Sequence, residues 1–160
     1  MQNNESILLQ NALLYEEGHP RRTQHILKVY ALAKLLGELE QLSEEEQLLL
    51  RASAILHDIA IKYCKEHYQG NACQEYQCKE LPQLVEKFLT EANYCPTYIP
   101  KVIDLTLNHH NYNEPRSLLL QLLIEADLIV NRFESSWNQE QIERMVPIFK
   151  TSFGKELFQK

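Results

Sequence analysis

Asp127 stands in the string LLLQLLIEADLIV, on the same helical face as Leu120, Leu123 and Ile124. A carboxylate on an apolar face is costly unless a cation, a hydrogen-bond donor or a metal ion meets it. An arginine or a helix terminus would make Asp127 structural; a metal ion would make it a ligand. Glu125, two residues earlier, is expected to reach solvent on another face. A second polar interruption closes another apolar run, His57-Asp58 in ASAILHDIA. Neighbouring helical residues point about 100° apart, so both reach one ion only near a helix end or kink, which is where this pair lies. Imidazole with carboxylate suits a divalent ion of the Fe, Mn, Mg, Co, Ni or Zn kind, without distinguishing among them. His25, one turn before Val29, shares a partly apolar face, where a plain core or surface histidine is the commoner outcome. His109-His110 end the string LTLNHH, and a helix C-terminus by itself favours histidine there.

The elements that must carry these residues all read as helices. One covers roughly Glu5 to Glu16 and stops at Gly18-His19-Pro20. A second spans about Arg22 to Leu39, with Ile26, Val29, Tyr30, Ala33 and Leu36 at helical spacing. Ser43 with Glu46 three residues on forms a capping box that opens a third, whose stripe is Leu48, Ala52, Ile55 and Leu56. Residues 62 to 80 are polar and contain Gly70-Asn71, so a long loop holding at most one short helix is expected. Leu81-Pro82 restarts a helix to about Glu91, another runs from Pro100 to His110, and the most apolar one from Arg116 to Phe133. A last helix begins near Gln139, with Pro147 expected to kink or split it. No segment alternates as a strand would.

The chain has 160 residues, 44% hydrophobic and 24% charged, with only four glycines, which fits one all-α globular unit, residues 1–160. Its net charge of −6 argues against a nucleic-acid polymer as partner. A small phosphorylated substrate would need positive charge supplied locally, by a metal or a few placed cations. No run is apolar enough for a membrane span or signal peptide, so the reading is cytoplasmic, with no membrane partner. Cys64, Cys73, Cys78 and Cys95 are then expected as free thiols in a loop rather than disulfides. Cys64, His67, Cys73 and Cys78 could hold zinc, but their spacings lack a CxxC knuckle, so that reading is set aside. The sequence leaves a homodimer open.

The strings RRTQHILKVYALAKLLG, LRASAILHDIAIK and LLLQLLIEADLIVN, in this order, resemble the HD-domain superfamily of metal-dependent phosphohydrolases, most closely its small single-domain bacterial members. The likeness runs from about Arg21 to the C-terminal IFKTSFGKELF. It implies a bundle of about seven or eight helices, with a core at about 21–134, the N-terminal helix 5–16 and C-terminal helices 139–159. It implies that His25, His57, Asp58 and Asp127 hold a divalent metal. It also implies further ligands between the doublet and Asp127, for which Glu80, His109 and His110 stand in a suitable region; one metal or two is left open. The activity implied is hydrolysis of a phosphomonoester or phosphodiester of a nucleotide or other small metabolite by a metal-activated water. Asp58 or Asp127 would orient or deprotonate that water, with Lys62, Arg22, His109 and His110 as candidate contacts to phosphate. The chain departs from guanosine tetraphosphate hydrolases, whose HD-x-x-E-D is replaced here by Asp58-Ile59-Ala60-Ile61-Lys62, and it lacks the GYP extension of cyclic-di-GMP phosphodiesterases. Named substrates therefore do not carry over. A non-catalytic metal or nucleotide sensor with the same fold is the competing reading.

Overall fold

Short polar residues start the helices where the sequence places them. The Ser43 hydroxyl oxygen accepts the Glu46 amide at 3.2 Å and its proton goes to the Glu46 carboxylate, opening α3 (Glu44–Leu56). Asn4 caps α1 (Glu5–Tyr15) in the same way, and Ser117 caps α7 (Leu118–Glu134). Pro20 occupies the first turn of α2 (Pro20–Leu39), where its missing N–H costs nothing. Gly18, at φ +89°, takes the left-handed conformation that lets the chain reverse between α1 and α2.

The computed structural model describes residues 4–160. Among them the remaining elements are α4 (Ala60–His67), α5 (Gln74–Glu91), α6 (Tyr98–Leu107), α8 (Gln139–Met145), a 3-10 turn at Val146–Ile148 and α9 (Ser152–Gln159). The fold is all-helical, with nine α-helices and no strand among the described residues. The ninth arises because Pro147 divides the last helix, as its position suggested.

Residues 62–80 do not form the expected loop. α4 runs to His67, and α5 begins at Gln74 with Pro82 inside it. Tyr68 and Tyr76 stack across the turn at 4.1 Å, the Tyr68 hydroxyl donates to Glu80 at 2.6 Å, and the Gln77 amide donates to the Ala72 carbonyl. Buried Leu81, Leu84, Val85, Phe88 and Leu89 then hold the helix past the proline. Cys64 is accordingly buried in α4, and Cys73 and Cys78 lie at the start of α5. Cys64, Cys73 and Cys78 form no disulfide, and Cys64, His67, Cys73 and Cys78 do not converge on a common point. Among the described residues, no helix is long and apolar enough to cross a membrane.

Two helices organise the interior. α3 buries Leu49, Ala52, Ile55 and Leu56 against α1, α5 and α6, and turns Leu50 and Ala54 toward α2 and α7. α7 is buried without interruption from Gln121 to Val130, with α2 and α3 on one side and α8 and α9 on the other. That second cover is why Glu125 does not reach solvent as the sequence suggested. It is fully buried. Its carboxylate accepts from the Gln121 amide at 2.7 Å, the Lys150 and Thr151 main-chain N–H groups at 2.9 and 3.2 Å, and the Thr151 hydroxyl at 2.6 Å. Glu125 thus ties the approach to α9 onto α7. Replacing it by alanine strands several buried donors, so Glu125→Ala should lower unfolding free energy by about 3 kcal/mol. Urea denaturation beside the exposed-site control Glu140→Ala measures this, and metal content should stay at the wild-type level.

Candidate metal centre

The chain's apolar runs deliver four polar side chains to one point. α3 ends at Leu56, and a turn at residues 57–59 redirects the backbone into α4. That break lets adjacent His57 and Asp58 face the same space. α2 contributes His25 from its second turn, and α7 contributes Asp127 from the middle of its buried stretch. His25 Nε2 lies 3.0 Å from His57 Nε2, 3.2 Å from Asp127 Oδ1 and 3.3 Å from Asp58 Oδ2. His57 Nε2 lies 3.3 Å from each of the same two carboxylate oxygens. His57 and Asp127 are closed off from solvent, whereas Asp58 keeps 23% of its side chain open.

Each imidazole is oriented from behind. His57 Nδ1 lies 2.7 Å from the Ala54 carbonyl oxygen and His109 Nδ1 lies 2.6 Å from that of Thr106. A carbonyl only accepts, so Nδ1 carries a proton in both rings and Nε2 is left to face the centre. His25 Nδ1 donates to Glu134 Oε1 at 2.8 Å. Two carboxylates and two inward Nε2 atoms packed this closely require positive charge between them. A divalent ion meets that need: ligand atoms about 2.1 Å from one ion stand about 3.0–3.4 Å apart, the spacing found here. The donor set therefore fits a divalent metal.

Without an ion, protons must supply the charge. Burial opposes a charged His25, but hydrogen bonds to Asp127 and Asp58 outweigh it and push the pKa up to about 9. Burial likewise opposes charge on His57, and Asp58 and Asp127 hold it well above the ordinary histidine value. Burial works against ionising Asp58 too, yet His57, His109 and His25 draw it well below the usual carboxylate range; His25 and His57 do the same for Asp127.

A second group adjoins the first through Asp58. Its Oδ1 lies 3.4 Å from His109 Nε2, a buried atom that no protein group hydrogen-bonds. Asp58, His109 and His110 offer ligand atoms close enough for another ion, so the two oxygens of Asp58 face two clusters. His110 is exposed by surface area, and burial of its ring, followed by repulsion from His109, lowers its pKa.

Over the first cluster opens a pocket of about 170 Å³ lined by Arg21, Arg22, Glu16, Asn131 and Glu134 beside His25 and Asp58. Arg22 lines this pocket, with its Nε paired to Glu16. Lys62 does not line this pocket. Its ammonium donates to the Tyr15 carbonyl at 2.6 Å and lies over the Tyr15 ring, because α4 packs its basic residue against the end of α1. Glu80 is also elsewhere, bound to Tyr68 and Gln83 on α5, and joins neither cluster. Sequence reading missed Glu16, Arg21, Asn131 and Glu134. Only Glu134 left a trace, two helical turns beyond Asp127.

Since His25 titrates near pH 9 rather than 6.5, the proton-held cluster stabilises the metal-free fold fully below about pH 6.5 and fades as pH rises through about 9. A metal ion displaces those protons. Binding of Mn or Zn at pH 7.5 should release at least one proton per site, measured by titration calorimetry in buffers of different ionisation enthalpy. His57→Ala with Asp58→Ala should abolish stoichiometric binding.

Comparison with known proteins bears on this geometry. The HD domain family model matches residues 22–132, a span containing all four converging ligands. A crystal structure of a predicted HD superfamily hydrolase from an uncultured Thermotogales bacterium superposes with a TM-score of 0.62 at 15% identity, covering 95% of this chain and 79% of that one. That likeness is one of fold. No curated protein matches in sequence. The match over most of the chain, together with the helical bundle, shows that the chain belongs to the HD domain family.

Proposed function

We propose that this protein is a metal-dependent phosphohydrolase that cleaves a phosphomonoester or phosphodiester of a small metabolite, a nucleotide among the candidates. The observation carrying the reading is that four ligand atoms from α2, α7 and the turn after α3 meet beside a pocket that His25 and Asp58 line and whose wall holds Arg21 and Arg22. A bound divalent ion would supply a Lewis acid that offsets phosphoryl charge and makes a nearby water more acidic.

The chain's own residues then have distinct tasks. Asp58 is the most open of the four ligand residues and can orient a water or take its proton at that open edge. Arg22 is fixed through Nε by Glu16, and its terminal N–H groups can bind two phosphoryl oxygens at once. His110, exposed beside His109, is suited to exchanging a proton with the leaving oxygen. Lys62 acts at one remove, holding the Tyr15–Glu16 wall through the Tyr15 carbonyl. A pocket of about 170 Å³ takes a phosphoryl group and its nearest atoms, leaving the rest of the substrate outside. The net charge of −6 favours a small-molecule substrate over a nucleic-acid polymer, for an enzyme we place in the cytoplasm.

The test is the metal content of the purified protein combined with a phosphatase and phosphodiesterase screen in Mn, Mg, Co and Fe. Turnover of at least one small phosphoester is expected, and Arg22→Met should raise its KM roughly tenfold by removing a charge-assisted contact. Stoichiometric metal with no phosphoester cleaved under any of these ions would favour the sensor reading instead.

A further inference from the structure

The three inward-facing imidazoles are not oriented alike. His57 and His109 are both buried and lean on main-chain carbonyls of their own helices, three residues earlier in each case. Their orientation follows from helix geometry alone. His25 sits on α2, where the chain is regular and the carbonyls behind it are engaged within the helix. Its Nδ1 instead finds a side chain from another element, Glu134 at 2.8 Å. Glu134 is the last residue of α7, two turns beyond Asp127 on the same side of that helix. α7 therefore supplies one ligand outright and the support for a ligand carried by α2.

The support is itself held. Glu134 Oε2 lies 3.4 Å from the Lys28 ammonium, and Lys28 follows His25 by three residues on α2. One carboxylate oxygen is thus directed at the imidazole and the other at a cation on the same helix. The Glu134 side chain is only 10% exposed, so water competes weakly for that bond. A charged acceptor on Nδ1 fixes the tautomer and makes the opposite nitrogen a stronger donor to a cation.

We infer that Glu134 is a positioning residue of the metal centre: it fixes His25 with Nε2 toward Asp127, His57 and Asp58, and so sets the affinity of the first metal position. The inference rests on the metal-centre reading, and extends it to a pocket-lining residue that is not itself one of the four converging ligands. It predicts a dependence on reach and acceptor character rather than on charge alone. Glutamine keeps an oxygen at the same distance; asparagine keeps the amide but falls one methylene short.

The experiment measures Zn affinity by competition with a chelator for the full-length wild type and for Glu134→Gln, Glu134→Asn and Glu134→Ala. Imidazole ¹H–¹⁵N correlation spectra of the zinc-loaded proteins report which ring nitrogen of His25 carries the proton. The expected result is affinity within about threefold of wild type for Glu134→Gln, and a loss of about 10- to 100-fold for Glu134→Asn and Glu134→Ala. The Nδ1–H signature of His25 should persist in Glu134→Gln and disappear or broaden in the other two. Thermal melts in chelator identify any variant that has failed to fold, in which case the Gln–Asn pair decides. Wild-type affinity and an unchanged His25 signature in Glu134→Asn would overturn the inference while leaving the metal centre intact. A wild-type protein that binds no Zn, Mn or Fe would overturn the metal centre and the inference with it.

Discussion

The arrangement of this molecule depends on a small excess of negative charge and lone pairs held where water cannot reach. His25 Nε2 and His57 Nε2 lie 3.0 Å apart and each within 3.2 to 3.3 Å of an oxygen of Asp58 and of Asp127, at the junction of α2, α3 and α7. Such a set is stable only with a cation in its midst or with protons standing in for one. Everything around it serves to keep those atoms from moving apart. The apolar stripes of α3 and α7 close the floor, and the break after Leu56 turns two sequence neighbours toward the same point.

Support reaches the cluster by two kinds of contact. Main-chain carbonyls orient His57 and His109 at no cost in added side chains, whereas His25 relies on a carboxylate from a different helix. The pocket above is shaped in the same distributed manner. Arg22 from α2 and Lys62 from α4 grip the last residues of α1 from two sides, so Glu16 becomes a wall of the site although it lies outside the HD-matched span.

The first cluster was legible because its members break patterns. Asp127 interrupts an apolar run, and His57-Asp58 ends one, so a helical wheel alone marks them as polar groups carried inward. Glu125 follows the same rule, yet was read as solvent-facing, because a wheel for α7 cannot know that α9 covers its other side. The segment 62–80 misled for a different reason. Its helix depends on a Tyr68–Tyr76 stack and on Glu80 bound to Tyr68, contacts across a turn that leave no periodic signature, and the same contacts take Glu80 away from the metal. Lys62, four residues past Asp58, and Arg22, three before His25, looked equivalent as candidate phosphate contacts, and only packing separates the one that seats the α1 wall from the one that lines the pocket. Glu134 was passed over despite its place two helical turns beyond Asp127, because a glutamate at a helix end is ordinarily solvated.

α7 carries Glu125 and Asp127 two residues apart, hence about 200° around the helix, with Glu134 further along the Asp127 side. One rod is thus pinned on opposite flanks, by the approach to α9 on one and by the metal cluster on the other. Such a rod can neither roll nor slide without breaking both attachments together. An inserted or deleted residue between 125 and 134 would rotate everything beyond it by about 100°, throwing the carboxylates out of phase with one another. The length of this helix is therefore fixed as firmly as its chemistry. Variation in the protein should accumulate by substitution on its exposed surfaces and by loop changes elsewhere, not by a change of register here.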